Sequence, residues 1–210
     1  MGDGSHTGWA LRAQAACDWV LWVLTMNALW WLFTLGGAVV FGAAPATVAA
    51  AALTRRQLRG EKIHALRDFA RIWRAELLTA NAVLLPLYVA GALLGAALVS
   101  SFAAGTISSP LGALQIAAAI VVIAIAHVVA PMYAHYDLPL GQYVTTAMRW
   151  AGGNLAHILV LLAGAALVVG ATLALPGLLP FLTVGALIVI DTALGIAFFR
   201  ANDRVLAEQT

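Results

Sequence analysis

Apolar residues fill this chain in long blocks, and polar residues gather in a few short segments between them. The first block runs from about Trp19 to Leu53 and is interrupted by Gly36-Gly37 and Pro45. As continuous helix it would measure roughly 52 Å at 1.5 Å per residue, against ~60 Å for two perpendicular bilayer crossings. That length predicts two short helices, about 19–36 and 38–53, with a tight turn somewhere between Leu35 and Pro45. A single span followed by a re-entrant piece fits the same length. Four more apolar runs follow, at about 77–103, 111–135, 155–175 and 177–199. Each reaches the ~20 residues that cross a hydrocarbon core. Pro86 and Pro131 fall inside two of them, where a proline frees backbone carbonyls.

Between the second and third runs lies TRRQLRGEKIHALRDFARIWRAE, residues 54–76, the one long charged segment. Ile63, Leu66, Phe69 or Ala70, and Trp73 recur at three-to-four spacing, while Arg67, Arg71 and Arg74 fall on another face. This pattern predicts an amphipathic helix in the headgroup region, its apolar stripe toward lipid or the bundle. HYDLPLGQYVTTAMRWAGGN, between the fourth and fifth runs, reads as interfacial, with Tyr136, Tyr143, Arg149 and Trp150 as anchors. The expected architecture is all-α: one transmembrane helical bundle over residues 1–210 with six spans, five being the alternative.

Composition supports that class. The chain has 210 residues, 63% hydrophobic and 10% charged, with a mean hydropathy of +0.94. Soluble domains carry about a quarter charged residues, so a water-soluble fold is excluded. The net charge is +2. Because the basic residues sit beside apolar spans, that charge points to anionic lipid headgroups as a partner rather than to nucleic acid. All 11 Lys and Arg fall in four segments: Arg12, the seven of 54–76, Arg149, and Arg200 with Arg204. Six spans put those segments on one side, which the positive-inside rule makes the cytoplasm, together with both termini. Five spans leave Arg12 outside. MGDGSHTG lacks a basic region and an apolar core, so no cleaved signal is expected there. Gly2 is followed by His6 where myristoylation favours Ser or Thr. The single Cys17 excludes an intrachain disulfide, and its place before an apolar run argues against lipoprotein processing.

Polar groups inside a bilayer are costly and need a partner or a purpose. Counting along the helices from Arg200, Asp137 and Asp18 places Asp191, His127 and Asn27 near mid-depth, where they form a candidate polar layer. One reading makes Asp191 and His127 a proton-linked or substrate-binding pair; the other has the three residues hold helices together by hydrogen bonds. His135 and His157 are expected near the cytoplasmic boundary and solvated. No histidine spacing suits a metal, no cofactor is implied, and neither a phosphate loop nor a nucleophile elbow is present. An enzyme is therefore not expected.

The stretch NALWWLFTLGGAVVFGAAPATVAAAALTRRQLRGE, residues 27–61, with FARIWRAELLTAN, residues 69–81, resembles the YesL family of bacterial membrane proteins. Asn27, Leu29-Trp30-Trp31, Pro45-Ala46-Thr47 and Arg59-Gly60-Glu61 carry the likeness, with AHYDLP at 134–139. The resemblance implies a small multi-pass protein of the bacterial inner membrane, linked to carbohydrate-uptake ABC systems. On that basis the first expectation is a non-enzymatic accessory or scaffold subunit of a transport system. Its interaction surface would be Arg55, Arg56, Arg59, Lys62, Arg67, Arg71 and Arg74, and its partners ABC transporter subunits. The second is a self-contained small transporter or channel using the Asp191–His127 layer.

Overall fold

The computed structural model describes the backbone of residues 5–208 and the side chains of residues 9–204. The expectations made for residues 1–4 lie outside the described residues. The chain folds into α1 (Ser5–Gly36), α2 (Val40–Leu58), α3 (Ala65–Ala75), α4 (Leu77–Ala103), α5 (Pro110–His135), α6 (Tyr143–Gly153), α7 (Leu155–Ala174) and α8 (Val184–Glu208). A 3-10 turn, Leu140–Gln142, leads into α6, and a π-helical turn, Leu179–Thr183, leads into α8. Among the described residues there is no strand.

Five helices are long and apolar enough to cross a membrane: α1 from Trp9, α4, α5, α7, and α8 with its preceding turn. They make this a multi-pass membrane protein by length and composition. The run expected to span at 38–53 is not among them. It forms most of α2, a 19-residue helix rich in alanine that ends in Arg55 and Arg56. It packs antiparallel to α1, with Trp30 donating to Thr47 and Trp22 to Thr54, and its two ends reach other helices. Near its start, Phe41 O accepts from Asn81 in the second turn of α4, and Gly42 O accepts from Trp73 in the last turn of α3. Near its other end, Arg55 Nη1 donates to Ala134 O in the last turn of α5. The start of α4 and the end of α5 are themselves neighbours, because Tyr133 OH donates to Glu76. Both ends of α2 therefore meet one end of the α4–α5 pair, and α2 lies obliquely across it.

This seat is possible because five of the side chains that α2 buries are single methyl groups. Ala44, Ala46, Ala49, Ala50 and Ala51 are all fully buried, and small side chains let backbones approach closely. The helix serves two apolar clusters. One joins Ala44 and Val48 to Leu84, Val128, Met132, Leu161 and Phe199. The other joins Ala46, Ala50 and Leu53 to Met26, Phe69 and Ile188. The turn from α1 into α2 falls inside the window set by the sequence. Ala38 and Val39 both have positive φ there, 54° and 66°, which costs energy for residues with a Cβ. Gly37 and Gly42 pack against each other across the turn, and a Cβ on Gly42 would lie 2.4 Å from Thr34 O.

The charged segment 54–76 is not one surface helix. Its first residues extend α2, residues 59–64 turn the chain, and only Ala65–Ala75 form α3. The apolar stripe of α3 turns toward the bundle: Phe69 is fully buried and lies 5.0 Å from Phe33, centroid to centroid. Leu66, assigned to the same stripe, is left outside at 58% exposure. Of the two directions expected for the stripe, lipid or the bundle, the short helix takes the bundle, packed against α1 and α2.

Helices α5 and α8 run parallel and in register, with His127 against Asp191 and Pro131 against Gly195. His135 lies against Phe199 one turn further on. Helix α5 is capped at its start by Ser109, whose hydroxyl accepts from Gly112 N, with Pro110 in the first turn, an arrangement that satisfies one of the free N–H groups of a helix start.

Gly42→Ala is expected to destabilise the fold by about 1–3 kcal/mol, as overpacking does. Gly95→Ala, where nothing lies within 4 Å, should leave stability unchanged or slightly raised. Thermal unfolding of the purified protein in detergent measures both.

Candidate functional site

Where α1, α2, α4, α5 and α8 meet, the structure leaves a partly open cavity of about 400 Å³. Its polar lining comes from Trp30, Thr47, Tyr88, His127, Asp191 and Thr192, and the rest is aliphatic. The local sequence explains the placement. Thr47 interrupts the alanine run of α2, so its hydroxyl is the one polar side chain that this stretch turns toward α1 and α4. Trp30 Nε1 and Tyr88 OH both donate to Thr47 Oγ1, at 3.0 and 3.1 Å, and Thr47 donates to Ala43 O. Three helices are tied together at one hydroxyl.

On the opposite wall His127 Nδ1 lies 2.5 Å from Asp191 Oδ2. One proton is shared between Nδ1 and the carboxyl group across this contact. Asp191 is 8% exposed, and its Oδ1 has no hydrogen-bond partner. Thr192 is fully buried, and its Oγ1 is likewise unpartnered. Unsatisfied polar atoms are uncommon in native interiors, and here two occur on adjacent residues that both line the same cavity. The site thus combines a hydrogen-bonded His–Asp pair, free acceptor atoms and aromatic walls.

Asn27 does not join this layer. Its Nδ2 donates to Pro180 O at 2.7 Å, and its Oδ1 accepts from Gly185 N at 2.9 Å. The π-helical turn before α8 leaves backbone groups without the usual helical partners, and the Asn27 amide spans that turn to satisfy both. The depth expected for Asn27 assumed that Asp18 marks a helix end, whereas α1 begins at Ser5. His135 and His157 also depart from expectation. The Nδ1 atoms of both are buried without a partner. His157 packs 4.3 Å from the Phe198 ring, and His135 Nε2 lies 3.5 Å from Asp203 Oδ2.

The seven basic residues of 54–76 divide in two. Arg55 and Arg56 are half-buried and tied into the fold. Arg55 enters a second, polar cavity of about 470 Å³ with Glu76, Tyr133, His135 and Tyr143, and Arg56 pairs with Glu61 and Asp68. Arg59, Lys62, Arg67, Arg71 and Arg74 are exposed. Arg59 pairs with Glu61 and Arg71 with Asp68. Asp68 is the hub of this cluster. The His64 N–H donates to its carboxylate, and Arg56 and Arg71 lie beside it, which together hold its pKa below the usual carboxylate range. Beyond the end of α5, burial and a hydrogen bond to Asp203 push the Tyr136 hydroxyl up.

Sequence reasoning reached His127 and Asp191 through their cost in lipid. It missed Trp30, Thr47, Tyr88 and Thr192 as lining residues. A lone Thr in an alanine run and a lone Tyr in an aliphatic helix were the available signals.

The chain is similar to known proteins along most of its length. The profile of a family described as "Protein of unknown function, DUF624" matches residues 23–98. "Uncharacterized protein YesV" of Bacillus subtilis (strain 168) is 34% identical over 170 residues, which is 80% of this chain and 81% of that protein. "Uncharacterized protein YteU" of the same organism is 26% identical over 180 residues, 85% of this chain and 81% of its own. "Uncharacterized protein YesL" is 28% identical over 193 residues, 90% of each. No solved structure matches.

Because the pKa of Asp68 is lowered on folding, its ionised form contributes stability that is complete above the unfolded value of about 3.9. That contribution is lost as the pH falls through the lower folded value. The unfolding temperature of the wild-type protein should therefore drop on acidification below about pH 4. Asp68→Asn should be less stable near neutral pH and show a flatter acid limb. Thermal unfolding in detergent across the acid range reads both.

Proposed function

The chain belongs to the DUF624 family together with YesV, YteU and YesL, and from that premise we propose that it is a non-enzymatic membrane protein that binds a small solute in the His127–Asp191 cavity and moves it across the bilayer with a linked proton. The observation that carries this reading is an intramembrane His–Asp pair that lines a cavity and keeps one buried carboxylate oxygen without a hydrogen-bond partner. An ionisable residue kept within a span is a functional candidate by default, and a purely structural pair would have its lone pairs spent on neighbouring helices. Pairing to His127 gives Asp191 a proton donor and acceptor at contact distance, the minimum equipment for coupling a solute to a proton.

A second reading is retained for one specific observation. Lys62, Arg67 and Arg74 are exposed and form no ion pair among the described residues. They suit an accessory subunit that docks on a carbohydrate-uptake ABC transporter or on anionic headgroups. For orientation we assign the end of the bundle where α4 starts and α5 and α8 finish to the cytoplasmic face of a bacterial inner membrane. Ten of the 11 basic residues support this, since only Arg12 stands apart from that end, and the positive-inside rule does the rest. The oblique seat of α2 favours five crossings over six. An odd count puts the start of α1 on the face opposite the end of α8, in place of the arrangement with both termini inside.

Two measurements test the transport activity and the orientation. Proteoliposomes containing a pH-sensitive dye are challenged with cationic, neutral and anionic solutes. At least one class should shift the lumenal pH, and Asp191→Asn should cut the rate about tenfold or more. No shift with any class from well-folded protein overturns the transport reading in favour of the accessory one, for which transporter subunits should co-purify from mild detergent. Separately, single cysteines in a Cys17→Ser background are labelled with an impermeant maleimide on intact cells. Thr106→Cys and Arg12→Cys should react, and Lys62→Cys should react only after permeabilisation.

A further inference from the structure

The chemistry left unspent in the cavity narrows what it takes, granted the reading above that this is the solute site. The donors on the α1 and α4 walls are already used, since Trp30 Nε1 and Tyr88 OH both point at Thr47. On the α8 wall, Asp191 Oδ1 and Thr192 Oγ1 are buried and unpartnered, and an ionised carboxylate oxygen is an acceptor only. His127 already holds Oδ2. No Lys or Arg lines the space. The rings of Trp30 and Tyr88 add the negative faces that attract cations. Acceptors, a carboxylate and aromatic faces without a competing cation make a site for positive charge.

We propose that the cavity binds a small primary ammonium ion with an apolar body, its charge paired with the Asp191 carboxylate beside the Thr192 hydroxyl, both of which turn slightly to meet it. The aliphatic remainder of the lining receives the body. A neutral alcohol would meet the same acceptors but leave the carboxylate charge uncompensated in a low-dielectric interior, and an anion would be repelled. A proton on Asp191 removes both the charge and the acceptor, so proton and ammonium compete for one group. The other titratable groups facing Asp191 in the cavity are His127 from α5 and Tyr88 from α4; α1, α2 and the rest of α8 bring none.

The full chain in lipid nanodiscs is titrated with phenethylammonium, 2-phenylethanol and phenylacetate by calorimetry. At about pH 8 the ammonium should bind about tenfold or more tighter than either isostere. At about pH 5.5 it should weaken about tenfold, although the amine itself, which ionises near the lysine value of about 10, stays charged. Thr192→Ala should weaken ammonium binding severalfold, and Asp191→Asn should abolish it. Equal binding of the alcohol, or full ammonium binding by a folded Asp191→Asn protein, overturns the proposal. Should Asp191→Asn fail to fold, the three-ligand charge series on the wild type and the Thr192→Ala protein decide it. Ammonium binding without any flux in liposomes upholds the ligand class and rejects transport. Flux of a neutral solute without ammonium binding does the reverse.

Discussion

The close approach of helices around α2 is the constraint on which the rest of this bundle depends. Its run of buried alanines lets α1, α3, α4, α5 and α8 all reach it, and no larger side chain would allow that many backbones so near. In lipid the gain comes from packing rather than from expelling water, because hydrocarbon tails are as apolar as leucine. A helix whose buried face is mainly alanine is therefore a junction and not a filler. The one place where the run carries a hydroxyl, Thr47, is where three helices exchange hydrogen bonds and where the cavity opens.

The same constraint explains which parts of the structure could be read from sequence. Long apolar runs report helix length directly, so α4, α5 and α7 fall within about a residue of their expected bounds. Alanine is apolar enough to resemble a span and small enough to form a junction, so residues 38–53 were open to both readings. Periodicity found the stripe through Phe69 and Trp73 but does not say what the stripe faces. Here the partners are Phe33 and Gly42 rather than lipid. Asn27 shows a different limit. Its depth was counted from a helix end placed 13 residues late, because the apolar signal starts at Trp19 while the helix starts at Ser5.

The chemistry was half legible for a similar reason. Asp191 and His127 stand out in any apolar sequence because an ionisable group in a span has few tolerable explanations. The parallel register of α5 and α8 then makes their meeting a matter of geometry, with Pro131 against Gly195 one turn below. Trp30, Tyr88 and Thr192 are ordinary residues in a membrane helix, and only the fold gives them a common cavity. The two cavities differ in kind. One lies among aliphatic walls with unpartnered oxygens, and the other sits at the bundle end, where Thr79 and Tyr133 donate to Glu76 and Arg55 donates to Ala134 O.

The bridge from Asn27 to the start of α8 bears on how the chain is made. Its two partners lie 153 and 158 residues further along. At synthesis rates of about 5–20 residues per second, they emerge roughly 8–30 s after Asn27 itself. Through that interval the first helix waits in the bilayer with a carboxamide that has no permanent mate, and the alanine face of α2 waits for α5 and α8. Assembly of this protein is thus closed from its two ends, the last helix locking the first. A chain that stops before residue 180 lacks both partners of the Asn27 amide, so its first helix is left without the contact that fixes it to the last.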